Sequence, residues 1–345
     1  MKKIICLLLA AAMLFCLAAC KEKTTETPDA DEVATTAADG LTKIKFALDW
    51  TQNTNHTGLY VAKEKGYFAD AGLDVEILFV DGDTSTQLVA SGWAPFGIDA
   101  QDTLAAAYTA AEPLPVTAIA AILQHNTSGI ISRKGDGIES AKGLAGKTYS
   151  TWDSPIELAM LQTLVEKDGG NWDEVKRIPN TITDEPGALT AKQTDAVWVF
   201  YGWSAINAQI QNFDFDWFYF KDIDATFDYY TPVIIGNDDY MAQNPEITKA
   251  FMGAVRKGYE YAAANPAEAA QILIDSDTDG VLADAEELVK QSQEYLSKEY
   301  ISDAPYWGYI DPARWDAFYG WLNGTGLLEK ELPAGIGFTN EYLGG

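Results

Sequence analysis

From Lys43 onward the chain alternates short strand-patterned runs with helix-patterned ones, and this alternation restricts the fold more than any other feature. Ile44, Phe46 and Leu48 are separated by Lys45 and Ala47, the period of two that a half-buried strand requires. A polar loop over 49–57 follows, then a helix over 59–65 stopped by Gly66. The order repeats with a strand at 73–80, a helix at 84–90, a strand at 96–98, a helix at 101–110 and a strand at 116–123. A second unit opens near Gly135. It holds a strand at 147–150, a helix to about 167, a strand at 196–200, a helix at 204–211 and a strand at 213–220. Its first helix has a defined start, with Ser154 at N-cap, Pro155 at N1 and Glu157 at N3. Residues 233–235 return the chain to the first unit. The runs 245–258, 266–274, 285–298 and 312–322 then carry helix-period apolar residues. Strands joined by helices predict an α/β chain with parallel-rich sheets covered on both faces. Its 345 residues suit two domains.

Charge and rare residues exclude several functions. With 51 acidic and 24 basic residues, the net charge of -27 repels phosphate backbones, so no nucleic-acid partner is expected. The three cysteines are Cys6, Cys16 and Cys20, and the histidines are His56 and His125. That rules out a disulfide scaffold, a cysteine nucleophile in the body, and cysteine- or histidine-rich metal centres. Lys2 and Lys3 precede an uncharged run from Ile4 to Ala19, too short for a comfortable membrane span. The run ends Leu17-Ala18-Ala19-Cys20, which resembles a bacterial lipobox. The expectation is a signal peptide at 1–19 and a lipid on Cys20. Residues 20–41, rich in Thr, Ala and acids, read as a flexible lipidated tether. The expected location is extracytoplasmic, anchored to the bacterial cell membrane by that lipid.

In open parallel sheets, ligands bind beyond the carboxyl ends of the strands. Here those loops contain Asp49, Trp50, Asn53 and His56, then Gln101, then His125, and in the second unit Trp152, Ser154, Tyr201 and Trp203. They are full of rings, amides and hydroxyls, with no lysine or arginine. This suits a neutral or weakly basic planar heterocycle, with rings to stack on it and Asn, Gln and Asp to read its nitrogens. Anions such as sulfonates usually recruit arginine or lysine, although helix N-termini also hold them. Each residue also has a plain structural reading. A tryptophan is more often core, Asp49 caps a helix, Ser154 caps another, and His125 is a hydrogen-bonded loop histidine.

The string Leu48-Asp49-Trp50-Thr51-Gln52-Asn53-Thr54-Asn55-His56-Thr57-Gly58-Leu59-Tyr60 is more specific. With Lys65-Gly66-Tyr67-Phe68, Gly72-Leu73-Asp74-Val75, Phe96-Gly97-Ile98 and the run from Val197 to Trp203, it resembles the thiamine-pyrimidine branch of ABC-importer substrate-binding proteins. The resemblance runs from about 43 to 325. It implies a two-lobe, periplasmic-binding-protein-like type II fold joined by two crossing strands. Lobe one would be 42–130 plus 233–345, and lobe two 131–232. It also implies a heteroaromatic ligand, formylaminopyrimidine or hydroxymethylpyrimidine, with an ABC permease and its ATPase as partners. Asp49, Trp50, Asn53, His56 and Tyr60 would line lobe one's side of the cleft, and Trp152, Ser154, Trp198, Tyr201 and Trp203 lobe two's. The family pattern commonly has an acid after Tyr-Gly-Trp, where this chain has Ser204; that departure points toward a related heterocycle. Other ligands in play are a riboflavin-like heterocycle and an alkanesulfonate. The rival from another class is an extracellular enzyme. A related enzymatic branch makes the thiamine pyrimidine with a cysteine-rich iron motif, and no cysteine follows Cys20 here.

One pattern stands outside that resemblance. Residues 275–286 match a calcium loop, with Asp275, Asp277 and Asp279 at positions 1, 3 and 5, Gly280 at 6 and Glu286 at 12. A structural calcium ion is one expectation for it, and an acidic solvated loop between two helices is the other.

Overall fold

The computed structural model describes residues 40–278 and 280–344. The expected signal peptide at 1–19, Cys20, nearly all of the expected tether at 20–41, and Asp279 lie outside the described residues. The strands form two five-stranded sheets. The first contains β1 (Thr42–Ala47), β2 (Leu73–Leu78), β3 (Phe96–Asp99), β4 (Val116–Ala121) and β10 (Val233–Asn237), in the order β2-β1-β3-β10-β4. The second contains β5 (Ser128–Arg133), β6 (Thr148–Thr151), β7 (Lys176–Pro179), β8 (Ala196–Phe200) and β9 (Phe215–Tyr219), in the order β7-β6-β8-β5-β9.

Within each sheet the strands linked through helices run parallel, as in β1 with β2 and β3, and β6 with β7 and β8. One strand in each runs the other way: β10 against β3 and β4, and β5 against β8 and β9. These are the two strands that arrive directly from the other sheet, through 122–127 and 220–232. The fold is therefore α/β with two mixed sheets flanked by helices.

The first sheet packs on α1 (Thr57–Glu64) and α6 (Pro245–Ala264). Phe251, Val255, Tyr259 and Ala262 of α6 recur at helical spacing and are buried. Phe251 stacks on Phe96 at 4.3 Å between centroids, and Tyr259 on Trp307 at 4.4 Å. Each such side chain stabilises the fold by about 1.5–3 kcal/mol through removal of apolar area from water. The second sheet packs on α3 (Pro155–Lys167), where Leu161 and Leu164 join Trp198, Phe218 and Phe220 in one buried cluster.

Two strands lie where the sequence pattern predicted none. In β5, Gly129 weakens the strand signal, yet a Cβ there would meet the Phe218 carbonyl oxygen at 2.1 Å. The glycine is what lets β9 approach. In β7, all four residues, Lys-Arg-Ile-Pro, are exposed, so no apolar alternation marks this edge strand.

Helices α7 (Pro266–Asp275) and α8 (Glu286–Glu299) follow α6. Helix α8 touches both sheet units. The Ser292 hydroxyl meets Thr54 Oγ1 at 2.6 Å on one side and donates to the Gly202 carbonyl on the other. Among the described residues, no helix is long and apolar enough to cross a membrane.

Candidate functional site

The first unit's strand-end loops are built around His56. Asn53 caps a short 3₁₀ turn, Thr54–His56, by accepting the Asn55 N–H at 2.9 Å. The Asn53 N–H donates to His56 Nδ1 at 3.3 Å. A backbone N–H can only donate, so the ring proton sits on Nε2, which donates to Asp49 Oδ1 at 2.8 Å. His56 is wholly buried, and both its nitrogens are engaged inside the protein. It orients Asp49, which remains accessible. Trp50 is 65% exposed, and its ring lies 6.4 Å from that of Phe79, also exposed. Phe79 carried no sequence signal, because it follows β2 as one more apolar residue in a strand-like run. Tyr60 packs with Ala270, Leu273, Leu282 and Val289.

Two amides and a histidine have their polar atoms bonded within the protein. Gln101 is wholly buried; its Nε2 donates to the Trp315 carbonyl at 2.8 Å and its Oε1 accepts from Tyr230 N–H at 3.0 Å. Gln124 likewise donates to the Tyr309 carbonyl at 3.0 Å. His125 lies between two carboxylates, with Nδ1 2.7 Å from Asp228 and Nε2 3.1 Å from Asp303. The Asp228 hydrogen bond raises its pKa.

The end of β3 adds two carboxylates, Asp99 and Asp102. Asp99 accepts from the Thr86 and Thr103 hydroxyls and from Ala100 N–H, and burial raises its pKa. Asp102, in the first turn of α2 (Gln101–Thr109), is pushed up to about 6, first by burial and then by Asp99. No cation offsets either one among the described residues.

The second unit's loops are built around a buried carboxylate. Glu157 of α3 accepts from the hydroxyls of Tyr149 and Thr151, from Trp152 N–H at 3.1 Å and from Ser154 N–H at 3.3 Å. These bonds fold residues 151–154 over the helix start, and the chain turns left-handed at Asp153, with φ of 61°. Aspartate tolerates that conformation better than most residues. The turn leaves the Trp152 ring 48% exposed, 5.4 Å from the buried ring of Trp198. Trp198 meets Phe220 edge-on at 4.4 Å, and its indole N–H has no acceptor among the described residues. The buried Ser128 hydroxyl, at the start of β5, also lacks a partner there.

After β8 the chain makes a π-helical turn, Tyr201–Ala205, and then α5 (Ile206–Ile210). Tyr201 packs among Trp217, Tyr219 and Tyr295 at 5.0–5.7 Å and lines an open groove of about 430 Å³ against α8. That groove does not include Trp152 or Trp198. Trp203 joins Tyr60 in the cluster on α7 and α8, so the structure places both in packing between helices. Ser204 donates to Glu185 Oε1 at 2.9 Å. Glu185 opens α4 (Glu185–Thr190).

In the 275–286 segment, Asp277 accepts from the backbone N–H of Val281 and Leu282, at 3.1 and 2.6 Å. Asp275 accepts from Gln271, and Glu286 pairs with Lys290 at 3.1 Å. No group of three His, Cys, Asp or Glu placed to hold a metal occurs among the described residues.

The family described as NMT1/THI5 like matches residues 53–269. A formylaminopyrimidine-binding protein of Halalkalibacterium halodurans is 31% identical, over 98% of this chain and 98% of its own length. A 4-amino-5-hydroxymethyl-2-methylpyrimidine phosphate synthase of Saccharomyces cerevisiae is 26% identical, over 87% of this chain and 88% of its own. In structure, the alkanesulfonate-binding protein SsuA of Xanthomonas axonopodis, solved bound to MOPS, shares the fold with a TM-score of 0.63 at 11% identity. The likeness covers 86% of this chain and 98% of that one.

Proposed function

The chain belongs to the NMT1/THI5-like family, and from that premise we propose that it is the extracytoplasmic substrate-binding component of an ABC importer and captures a pyrimidine precursor of thiamine. The ligand is a 4-aminopyrimidine held between the two units. One observation carries this reading: the half-exposed Trp152 ring is fixed from below by Glu157 and backed by Trp198, whose indole N–H is unmet. A planar ring stacks on Trp152, and a ring nitrogen accepts from a buried donor that otherwise costs about 1–3 kcal/mol unpaired. From the first unit, Trp50 and Asp49 close on the other side. His56, Asn53, Gln101 and His125 serve by holding those loops, and Tyr60, Ser154, Tyr201 and Trp203 by positioning their neighbours.

The synthase relatives raise the question of catalysis. This body has no cysteine beyond Cys20, and its loops combine no hydroxyl or thiol nucleophile with a free histidine nitrogen, since both ring nitrogens of His56 and of His125 are engaged within the protein. Binding without turnover is the function these groups support. A lipid on Cys20 would keep the protein beside its permease, and Cys20→Ser should then release it from the cells into the medium.

Calorimetry against formylaminopyrimidine, 4-amino-5-hydroxymethyl-2-methylpyrimidine, riboflavin and taurine tests the ligand class. One-to-one binding to an aminopyrimidine is the expected result. Heat with taurine alone would exclude the proposal.

A further inference from the structure

We infer that Glu185, held in place by Ser204, is the residue that selects an amino-substituted heterocycle over its oxo counterpart. The inference rests on the aminopyrimidine reading above.

Glu185 is the first residue of α4, immediately beyond the segment that leaves the carboxyl end of β7. Ser204 lies in the turn beyond the carboxyl end of β8. In the sheet, β6 runs between those two strands, and Trp152 follows the carboxyl end of β6. The loops after β7 and β8 thus flank the loop that carries the exposed ring, and the Ser204–Glu185 hydrogen bond of 2.9 Å joins them. The carboxylate and the stacking ring belong to the same end of the same sheet.

The chemistry of this carboxylate is incomplete within the protein. Glu185 is half-buried, and its one side-chain partner among the described residues is the Ser204 hydroxyl on Oε1. It forms no ion pair there. The contrast with Glu157 in the same unit is direct: that carboxylate receives hydrogen bonds from two hydroxyls and two backbone N–H groups. Oε2 of Glu185 is free to accept. Ionised carboxylates accept and never donate, so the matching ligand edge is a donor. The exocyclic amine of a 4-aminopyrimidine is such a donor. A 4-oxo pyrimidine presents a carbonyl oxygen at that position, and two acceptors facing each other in a half-buried site repel.

The backbone supports a fixed position for Glu185. Asp184 caps α4 by accepting from Gly187 N–H at 3.1 Å, and Pro186 presets the first turn. Ser204 then fixes the side chain, which reduces the rotamer freedom lost when ligand binds.

The test compares 4-amino-5-hydroxymethyl-2-methylpyrimidine with its 4-oxo analogue by calorimetry, using the wild type, Glu185→Gln and Ser204→Ala. The wild type should prefer the amino compound about ten- to hundredfold, the range of a hydrogen bond to a charged acceptor. Glu185→Gln keeps the size and can still bond Ser204, so folding should be unchanged. Its amide can turn either C=O or NH₂ outward and read both ligands, so the preference should collapse to within a few-fold. Ser204→Ala should keep the direction of preference while weakening the amino ligand about three- to tenfold. A Glu185→Gln variant that melts normally and retains the wild-type preference would overturn the inference and leave the aminopyrimidine reading intact. A wild type that binds neither pyrimidine would overturn both.

Discussion

The strand-end loops of the two sheet units use similar residues differently. In the first unit the histidine and amides face inward: His56, Asn53, Gln101 and Gln124 hold the main chain or another side chain. In the second unit a single buried carboxylate, Glu157, does that work, and several groups remain unmatched: the Trp198 indole N–H, the Ser128 hydroxyl and one oxygen of Glu185. Buried polar groups are nearly always paired in folded proteins, so the unmet Trp198 indole N–H, on a ring 5.4 Å from the half-exposed Trp152, fits a ligand position there. The first unit is organised as a frame with an aromatic edge at Trp50 and Phe79. On the reading proposed above, the second is the unit that reads the ligand.

The largest effect should come from breaking the second unit's organiser. Glu157→Ala leaves the Trp152 and Ser154 N–H groups and two hydroxyls without their acceptor. It should cost at least about 3 kcal/mol in urea unfolding, since each unmet buried group costs about 1–3 kcal/mol. Aminopyrimidine affinity should fall with it as the Trp152 loop loosens.

Next, if Trp152 stacks on the ligand as proposed, Trp152→Ala should weaken aminopyrimidine binding about tenfold or somewhat more, with the melting temperature nearly unchanged because the ring is half-exposed. Gln101→Ala is the opposite case. It should lower stability by about 1–3 kcal/mol through the two unmet main-chain groups and leave affinity of the folded protein as it was. If Gln101→Ala instead abolished binding while unfolding normally, the frame-and-reader distinction would fail.

A pH titration sharpens the frame further. His125 faces Asp228 and Asp303, with Arg314 and Lys221 in the same surroundings, and its pKa is raised chiefly by the Asp228 hydrogen bond. A histidine whose folded pKa exceeds its unfolded value of about 6.5 adds stability that is complete below that value and fades as pH rises through the folded one. The stability gap between wild type and His125→Gln should therefore be wider at pH 5.5 than at pH 9, as read by denaturant melts.

The smallest expected change concerns residues 275–286. If that loop takes up calcium as a structural ion, millimolar calcium should raise the melting temperature and Glu286→Gln should remove the rise. Aminopyrimidine affinity should stay the same in either case. A melting temperature indifferent to calcium and to chelator would assign the segment to the Asp277 backbone contacts alone.

Much of this architecture could be read from the sequence because it depends on local periodicity. The alternation at Ile44, Phe46 and Leu48 and the Ser154-Pro155-Ile156-Glu157 helix start each carry their own evidence within a few residues. The exposed tryptophans after β1 and β6 were likewise legible as loop residues. What escaped depends on distant partners. Gln101 resembles a ligand contact until its partners appear at Trp315 and Tyr230, 214 and 129 positions away. His56 sits in a polar string that advertises recognition, yet the fold turns the ring inward. Glu185 lies in Thr-Asp-Glu-Pro-Gly, which reads as an ordinary acidic turn. Only the pairing of loops across β6 gives it meaning.

Ser292 gives the molecule a mechanical property. Its hydroxyl has one proton, which goes to the Gly202 carbonyl, so Thr54 must supply the proton for the other contact. A Cβ on Gly202 would come within 2.7 Å of Leu296 Cδ2, so the seat beneath that carbonyl has no slack. Any movement of one sheet unit against the other must therefore break either the Thr54 or the Gly202 contact of Ser292, and α8 would travel with the unit whose contact is kept.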